Sequence, residues 1–244
     1  MLLATVFVAC SDDDDDDEKD KPAGKEKLIS KITEISDEYP DEPAIYSYEY
    51  DEKGRITKRY DEDNTHVFTY KYNQNSILVT DQYGAIESEY TLNDKGFIIS
   101  CIEIQNSEAT TTNYTYDNND QLIKIDVDPT GRFHSIYYYT WIDGNIQTIK
   151  KESYYGSELE HTSVTTFTYT EHEYDKFLIS SLWGEDFLPS DGEDVLMDQG
   201  YTGKRCKNLI ATVGDSSNKY IFDKEGYITK IEQTGYTYTI TYKE

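Results

Sequence analysis

The sequence predicts an all-β protein: an antiparallel up-and-down meander of repeated hairpins, curled into a soluble barrel or half-barrel of about 14–16 strands. Three observations predict this fold class. A hairpin motif of about twenty residues recurs along the chain. Tyrosine supplies 24 of the 244 residues, and aromatic side chains favour strands. Apolar and polar residues alternate with a period of two, as they do in strands that bury one face.

The repeated motif is an aromatic residue, any residue, a second aromatic residue and then Asp or Asn. A glycine follows three residues later, and an isoleucine stands two residues after the glycine. Residues 48–58 (YEYDEKGRITK) and 220–230 (YIFDKEGYITK) are two full copies. Partial copies, some without the glycine, begin at Tyr70, Tyr90, Tyr114 and Tyr139.

Each position of the motif has a physical reason. Residues two apart on a strand share a face, so both rings point to one side of the sheet. Asp and Asn side chains bond to the backbone two residues further on and so begin a turn. Glycine adopts the left-handed conformation that closes the turn, and the isoleucine begins the returning strand.

The links between hairpins are short and polar, as in residues 61–64 and 128–131. Tight turns at both ends of the strands predict sequential antiparallel neighbours rather than crossovers. Residues 28–35 have apolar spacing that also fits a helix. The repeat pattern favours a first strand there.

The two faces of the predicted strands differ. Tyr46, Tyr48 and Tyr50 share one side, while Ser47 and Glu49 lie on the other. An aromatic face this long has to be buried, and without amphipathic helices to cover it the sheet has to wrap. The motif spacing predicts strands of about six or seven residues, whereas membrane-spanning strands need about 9–11. The mean hydropathy of −0.76 also favours a soluble barrel.

The first residues predict export. Residues 2–9 are apolar and end before Cys10, which is typical of a signal peptide. Residues 7–10 (FVAC) resemble a lipobox, and the acidic run 12–18 resembles the signal that follows the lipidated cysteine in surface lipoproteins of Bacteroides-type bacteria. We therefore expect residues 1–10 to be a lipoprotein signal with lipidation at Cys10. Residues 11–27 are expected to be a disordered acidic tether.

This resemblance implies an outer-membrane protein that is lipid-anchored and faces the cell exterior. The hairpins also resemble the tyrosine–aspartate repeats of bacterial cell-surface shells. Together with residues 203–210 (GKRCKNLI), they resemble a family of envelope lipoproteins catalogued as a domain of unknown function with a porin-like fold. That family implies a single domain over residues 28–244 and lends no catalytic residues.

Several function classes are disfavoured. The net charge is −25, and such a surface repels nucleic acid. His66, His134, His161 and His172 lack metal-ligand spacing, and the chain has no nucleophile or phosphate-loop motif. With 48 acidic residues, no single pair of carboxylates is informative. We expect no catalytic residues, no metal and no cofactor; a hydrolase using carboxylates in 185–194 is the least favoured alternative.

The sequence leaves open the state of two cysteines and the role of one irregular segment. Cys101 and Cys206 could form a disulfide, but two buried free thiols are slightly favoured. Residues 183–206 break the hairpin rhythm. This irregular excursion is either a functional loop or a disordered or capping insertion.

Two functions fit the predicted architecture. The first is non-catalytic binding of a ligand, with a glycan favoured because aromatic rings stack on sugars. Trp141 and Trp183 are the candidate stacking residues, whereas the repeated tyrosines are expected to be core. The second is a structural or protein-interaction role in the outer membrane, in which the barrel docks an envelope protein. An interior filled by side chains would favour the second.

Overall fold

The computed structural model describes residues 27–61, 65–105, 108–176 and 193–243. In these ranges sixteen antiparallel strands form one closed barrel, accompanied by one short helix. The strands are β1 Ile29–Ser36, β2 Ala44–Tyr50, β3 Ile56–Asp61, β4 Val67–Tyr72, β5 Ser76–Thr80, β6 Ile86–Leu92, β7 Ile98–Gln105, β8 Glu108–Tyr116, β9 Leu122–Val127, β10 Phe133–Ile142, β11 Asn145–Tyr155, β12 Glu158–Glu173, β13 Asn208–Val213, β14 Ser216–Phe222, β15 Ile228–Gln233 and β16 Tyr236–Tyr242; the helix α1, Glu193–Asp198, lies between β12 and β13.

Every strand pairs with its neighbours in sequence, and β1 pairs with β16 to close the barrel. Ile32 lies opposite Ile240 across that seam and opposite Tyr46 on the other side. The all-β meander and the number of strands are confirmed, and the sheet closes fully. All but the first of residues 28–35 belong to strand β1, which pairs with both β2 and β16.

The predicted turn chemistry is confirmed in five described turns. At the first, Asp51 Oδ1 accepts hydrogen bonds from the amides of Lys53, at 2.9 Å, and Arg55, at 3.0 Å. The same pair of bonds forms at Asp81, Asn93, Asp117 and Asp223. Gly54 is left-handed, with φ of 77°, and in the glycine-free copy Asp120 takes this conformation instead, with φ of 65°. Asp is among the few residues besides glycine that adopt it readily.

Tyr220 of the last copy is only partly buried, but the first aromatic residue of every other copy lies in the core, including that of a further aromatic pair at residues 167 and 169. These rings are 5% exposed or less: Tyr48, Tyr70, Tyr90, Tyr114, Tyr139 and Phe167. The residues that begin the returning strands are buried with them, in one continuous apolar cluster: Ile56, Ile77, Ile98, Leu122, Ile146 and Ile228. The described inward side chains therefore pack against one another inside the barrel, as expected for core tyrosines.

The second aromatic residue of the motif has a role that the sequence did not reveal. Its polar end donates a hydrogen bond to the backbone carbonyl at the start of the returning strand of the preceding hairpin. Tyr72 Oη donates to Ile56 at 2.7 Å and Tyr116 Oη to Ile98 at 2.6 Å. Tyr50, Tyr169 and Tyr242 donate in the same way to Ile29, Ile146 and Ile228. Where its second aromatic residue is Tyr, the motif thus joins a hairpin to the strand before it.

Candidate functional site

The two ends of the barrel are built differently. One end carries the turns after β2, β6, β8, β10 and β14, and residues 193–207 cross it; we call this segment the cap. Within the cap, α1 buries Val195 and Leu196 in the barrel core, at 1% and 0% exposure. The apolar side of a one-turn helix thus closes one end of the interior.

The side chain of Gln199 holds the cap against the first hairpins. Its Nε2 donates to the Gly54 carbonyl at 3.1 Å, and its Oε1 accepts from the Ile56 amide at 3.2 Å. The same oxygen accepts from Tyr72 Oη at 3.0 Å. A single amide side chain therefore satisfies backbone groups at the end of one hairpin and the tyrosine of the next.

The backbone of the cap continues this pattern around the end. The Ile98 amide donates to the carbonyl of Tyr201 at 2.7 Å, and the Lys204 amide donates to that of Asp120 at 2.8 Å. The Lys207 amide donates to the carbonyl of Gly144 at 3.0 Å. The described part of the predicted excursion thus contacts five successive hairpins, as a capping segment would.

At the opposite end of the barrel, one part of the sheet extends beyond the other strands. β12 is 16 residues long and pairs with β11 along its first half, but it pairs with β13 only from Phe167 onward. Residues 158–164 are all exposed. We call this part of the sheet, residues 132–136, 150–155 and 158–165, the extension.

The inner face of the extension presents an aromatic pair, in which an exposed ring lies beside a half-buried one. Tyr137 and Tyr139 are buried in the barrel, and strand alternation puts Phe133 on the same face of β10. Phe133 is 70% exposed, with its ring centroid 4.8 Å from that of Tyr155. The Arg132 guanidinium lies 4.4 Å above the Tyr155 ring. A cation over one ring and an open second ring form a preformed stacking surface.

The backbone fixes this pair. Phe133 lies opposite Tyr155 in the ladder of β10 and β11, and the Gly156 amide donates to the Arg132 carbonyl at 2.7 Å. One row further in, the hydroxyls of Ser135 and Ser153 lie 3.3 Å apart. Hydroxyl groups beside exposed rings provide hydrogen-bond partners for a polar ligand that stacks there.

The outer face of the extension holds a polar network. The rings of His134 and Tyr154 stack in parallel with centroids 4.5 Å apart, and Tyr154 Oη donates to Glu152 at 2.7 Å. Lys150 Nζ lies 2.6 Å from Glu152. The Lys150 ammonium lowers the pKa of Glu152, and hydrogen bonding to Glu152 raises the pKa of Tyr154 to about 12. The network leaves the Tyr154 proton in place at neutral pH.

The structure describes one of the two predicted stacking residues. Trp141 is half-buried against the core and donates from Nε1 to the Leu122 carbonyl at 2.7 Å. It occupies the second aromatic position of its motif, so its contacts join hairpins; a ligand role for it stays a prediction. Trp183, Cys10 and the tether over residues 11–26 lie outside the described residues.

The two described cysteines are free thiols. Cys101 is buried in the core, and Cys206 lies in the cap, where its Sγ is 3.3 Å from Tyr169 Oη. Burial raises the pKa of the Cys206 thiol. Among the described residues no group of three or more His, Cys, Asp or Glu side chains is arranged to hold a metal ion.

Phe133 and Tyr155 were missed by sequence reasoning because they stand outside the motif. A weak signal was present: Phe133 stands two residues after the polar link 128–131, where neither the core nor a turn requires an aromatic ring. In the described part of the chain, no helix has the length and apolar character needed to cross a membrane.

Repeated hairpins, a closed sixteen-strand meander and a capped end define a barrel of the porin-like class. The chain belongs to the family described as domain of unknown function (DUF4595) with porin-like fold, whose model matches residues 48–244. No curated protein matches the chain.

Two solved structures share the fold. A porin-like protein from Bacteroides uniformis ATCC 8492 has a TM-score of 0.68 and 20% identity, over 88% of this chain and 98% of that one. A porin-like protein from Bacteroides vulgatus ATCC 8482 has a TM-score of 0.65 and 13% identity, over 89% and 99%. The identities are low, so the likeness extends to architecture and not to a ligand.

Proposed function

We propose that this protein is a non-catalytic glycan-binding lipoprotein of the bacterial outer membrane, anchored through Cys10 and facing the cell exterior. The observation that carries the proposal is the exposed Phe133 ring beside the half-buried Tyr155, with Arg132 over the Tyr155 ring. Sugar rings present C–H groups that stack on aromatic faces and hydroxyls that pair with guanidinium and serine groups. Because the interior of the barrel is packed with side chains, a ligand is expected to bind on such an external face.

The contacts of Lys27, the first described residue, support this orientation. Lys27 Nζ lies 3.0 Å from Asp223 and 2.7 Å from Glu225, in a turn at the capped end. Its backbone amide also donates to Tyr227 Oη at 3.2 Å. An anchor at Cys10 would therefore reach the barrel at the capped end, through a chain that spans at most about 60 Å. The extension lies at the opposite end, where it would face the medium.

Glycan binding is tested on an array and then by calorimetry with the full chain. The Phe133→Ala and Tyr155→Ala variants should each weaken binding about fivefold or more, because stacking on one ring contributes on the order of 1 kcal/mol or more. Tyr83→Ala is the matched control, since Tyr83 is 86% exposed in the turn between β5 and β6. A hit that survives both extension variants would contradict the proposed site.

The anchor has its own test. Cells grown with an alkyne-tagged fatty acid should label the wild-type chain and not the Cys10→Ser variant. Protease added to intact cells should then remove the labelled protein if it faces the exterior. Labelling of Cys10→Ser would contradict lipidation at Cys10, and full protection from protease would contradict exterior exposure.

A structural or interaction role in the outer membrane is the second candidate. It is favoured by the packed core, in which the described inward side chains form one continuous apolar cluster. Cross-linking in intact cells followed by purification tests it. A reproducible envelope protein among the cross-linked products would support docking, and its absence would argue against this role.

A further inference from the structure

β12 has a neighbouring strand on only one side of its first half. Residues 158–166 pair with β11, and β13 takes up the other side only from Phe167. The last hydrogen bond on that side runs from the Gly214 amide to the Thr166 carbonyl, at 2.9 Å. Beyond it, toward the tip of the extension, the described chain provides no strand beside β12.

Alternation identifies the backbone groups that face outward. Residues of a strand direct their N–H and C=O groups to the same side at every second position. Because the Thr166 carbonyl points toward β13, the groups of Val164 and Thr162 point the same way. Those two residues therefore present two donors and two acceptors along an edge about 17 Å long over residues 162–166.

This edge lacks the devices that usually prevent pairing. Natural edge strands carry lysines, prolines or bulges that block an incoming strand. Residues 162–166 (TSVTT) contain none of these, and a bulge occurs only nearer the tip, opposite Ser153 and Tyr154. The unprotected stretch is bounded by Glu158 and Glu160, which form no ion pair with any described residue.

We propose that residues 162–166 of β12 bind an extended, lysine- or arginine-bearing segment of a partner protein as an added antiparallel strand. Backbone pairing with Thr162 and Val164 provides the contact, as in strand addition to other exposed sheet edges. Glu158 and Glu160 attract basic residues toward the carboxyl end of the segment. A second copy of this chain is disfavoured as the occupant, since each copy carries a net charge of −25.

The test uses a fluorescent ten-residue peptide of alternating threonine and valine that ends in two lysines, added to the full chain. Anisotropy should report saturable binding, and NMR should report shifted amide signals for Thr162 and Val164. The same peptide, N-methylated on the amides that would face β12, should bind at least tenfold more weakly. Equal binding of the methylated peptide, or no binding of the unmodified one, would overturn the proposal.

Two variants at position 164 separate the contribution of the backbone N–H to binding from that of the side chain. Val164→Pro removes an outward N–H that β11 does not use, so it should weaken binding about tenfold and leave thermal unfolding nearly unchanged. Val164→Thr keeps that N–H and should bind within twofold of wild type. Replacing both Glu158 and Glu160 by Gln should remove most of the salt dependence. Wild-type affinity in Val164→Pro would overturn the proposal, as would dimerisation through this edge in sedimentation analysis.

Discussion

The capped end and the extension use the same kind of strand in opposite ways. At the capped end the motif is complete, and hydrogen bonds from residues 199–207 join the ends of successive hairpins. In the extension, residues 158–164 contain no aromatic residue, and every one of them is exposed. The comparison indicates that the motif residues form the barrel. Binding is expected in the part of the wall where the motif is absent.

The largest expected effect compares a leucine from each region. Leu196→Ala in the cap should lower the free energy of unfolding by about 2–5 kcal/mol, because Leu196 is fully buried and its removal leaves a cavity. Leu159→Ala in the extension should change it by less than about 0.5 kcal/mol, since Leu159 is 51% exposed. Urea denaturation of both variants is the measurement. Equal losses would remove the distinction between the two regions.

Alanine substitutions at two glycines test how tightly the cap packs against the hairpin turns. Gly203 and Gly84 are both left-handed, with φ of +85° and +80°. A Cβ on Gly203 would lie 2.4 Å from the Asp120 carbonyl oxygen, whereas one on Gly84 meets nothing within 4 Å. Gly84→Ala should cost about 1–2 kcal/mol from backbone strain alone, and Gly203→Ala clearly more. Matching losses in thermal unfolding would mean that the cap does not fit tightly against the turn at Asp120.

The tyrosine links between hairpins predict a smaller effect. Tyr116→Phe removes the hydroxyl that donates to the Ile98 carbonyl and should cost about 0.5–1.5 kcal/mol. Tyr83→Phe, at an 86% exposed ring, is the control and should be neutral. Chemical denaturation tests both variants. No loss in Tyr116→Phe would argue that ring packing alone explains the second aromatic position.

The smallest effect is a pH dependence on the barrel wall. Hydrogen bonds from Lys230 and Lys219 lower the pKa of Glu232 to about 2, from 4.5. A carboxyl group with a depressed folded-state pKa adds stability that is present above about pH 4.5 and is lost as the pH falls through 2. Glu232→Gln should therefore flatten the dependence of unfolding on pH in that window. An unchanged slope would contradict the ion pairs.

The sequence predicted the meander, the strand number and the turns because each depends on local chemistry. Asp51 and Gly54 determine a bend whatever the rest of the chain does. The partner of each second aromatic residue was not predictable, since Tyr116 and Ile98 meet only after two hairpins have paired. Closure into a full barrel likewise depends on the seam between β1 and β16, which are far apart in the chain.

The candidate site was harder to predict than the fold. Trp141 was predicted to bind the ligand because tryptophan is a common stacking residue. In the structure Trp141 occupies the second aromatic position of the motif, and its N–H donates to the Leu122 carbonyl. Phe133 becomes a candidate only when Tyr155 lies opposite it and the wall is seen to extend past β13. Exposure of that kind depends on tertiary structure and leaves little trace in a single sequence.

Amide hydrogen exchange on the full chain tests the contrast between the two ends most directly. The amides of Ile98, Lys204 and Lys207 bond to or from the cap and should exchange slowly, near the rate of global unfolding. The amides of Thr162 and Val164 face outward on the edge of β12 and should exchange orders of magnitude faster. Rapid exchange at the cap, or protection at Thr162 and Val164 in the isolated protein, would contradict the account.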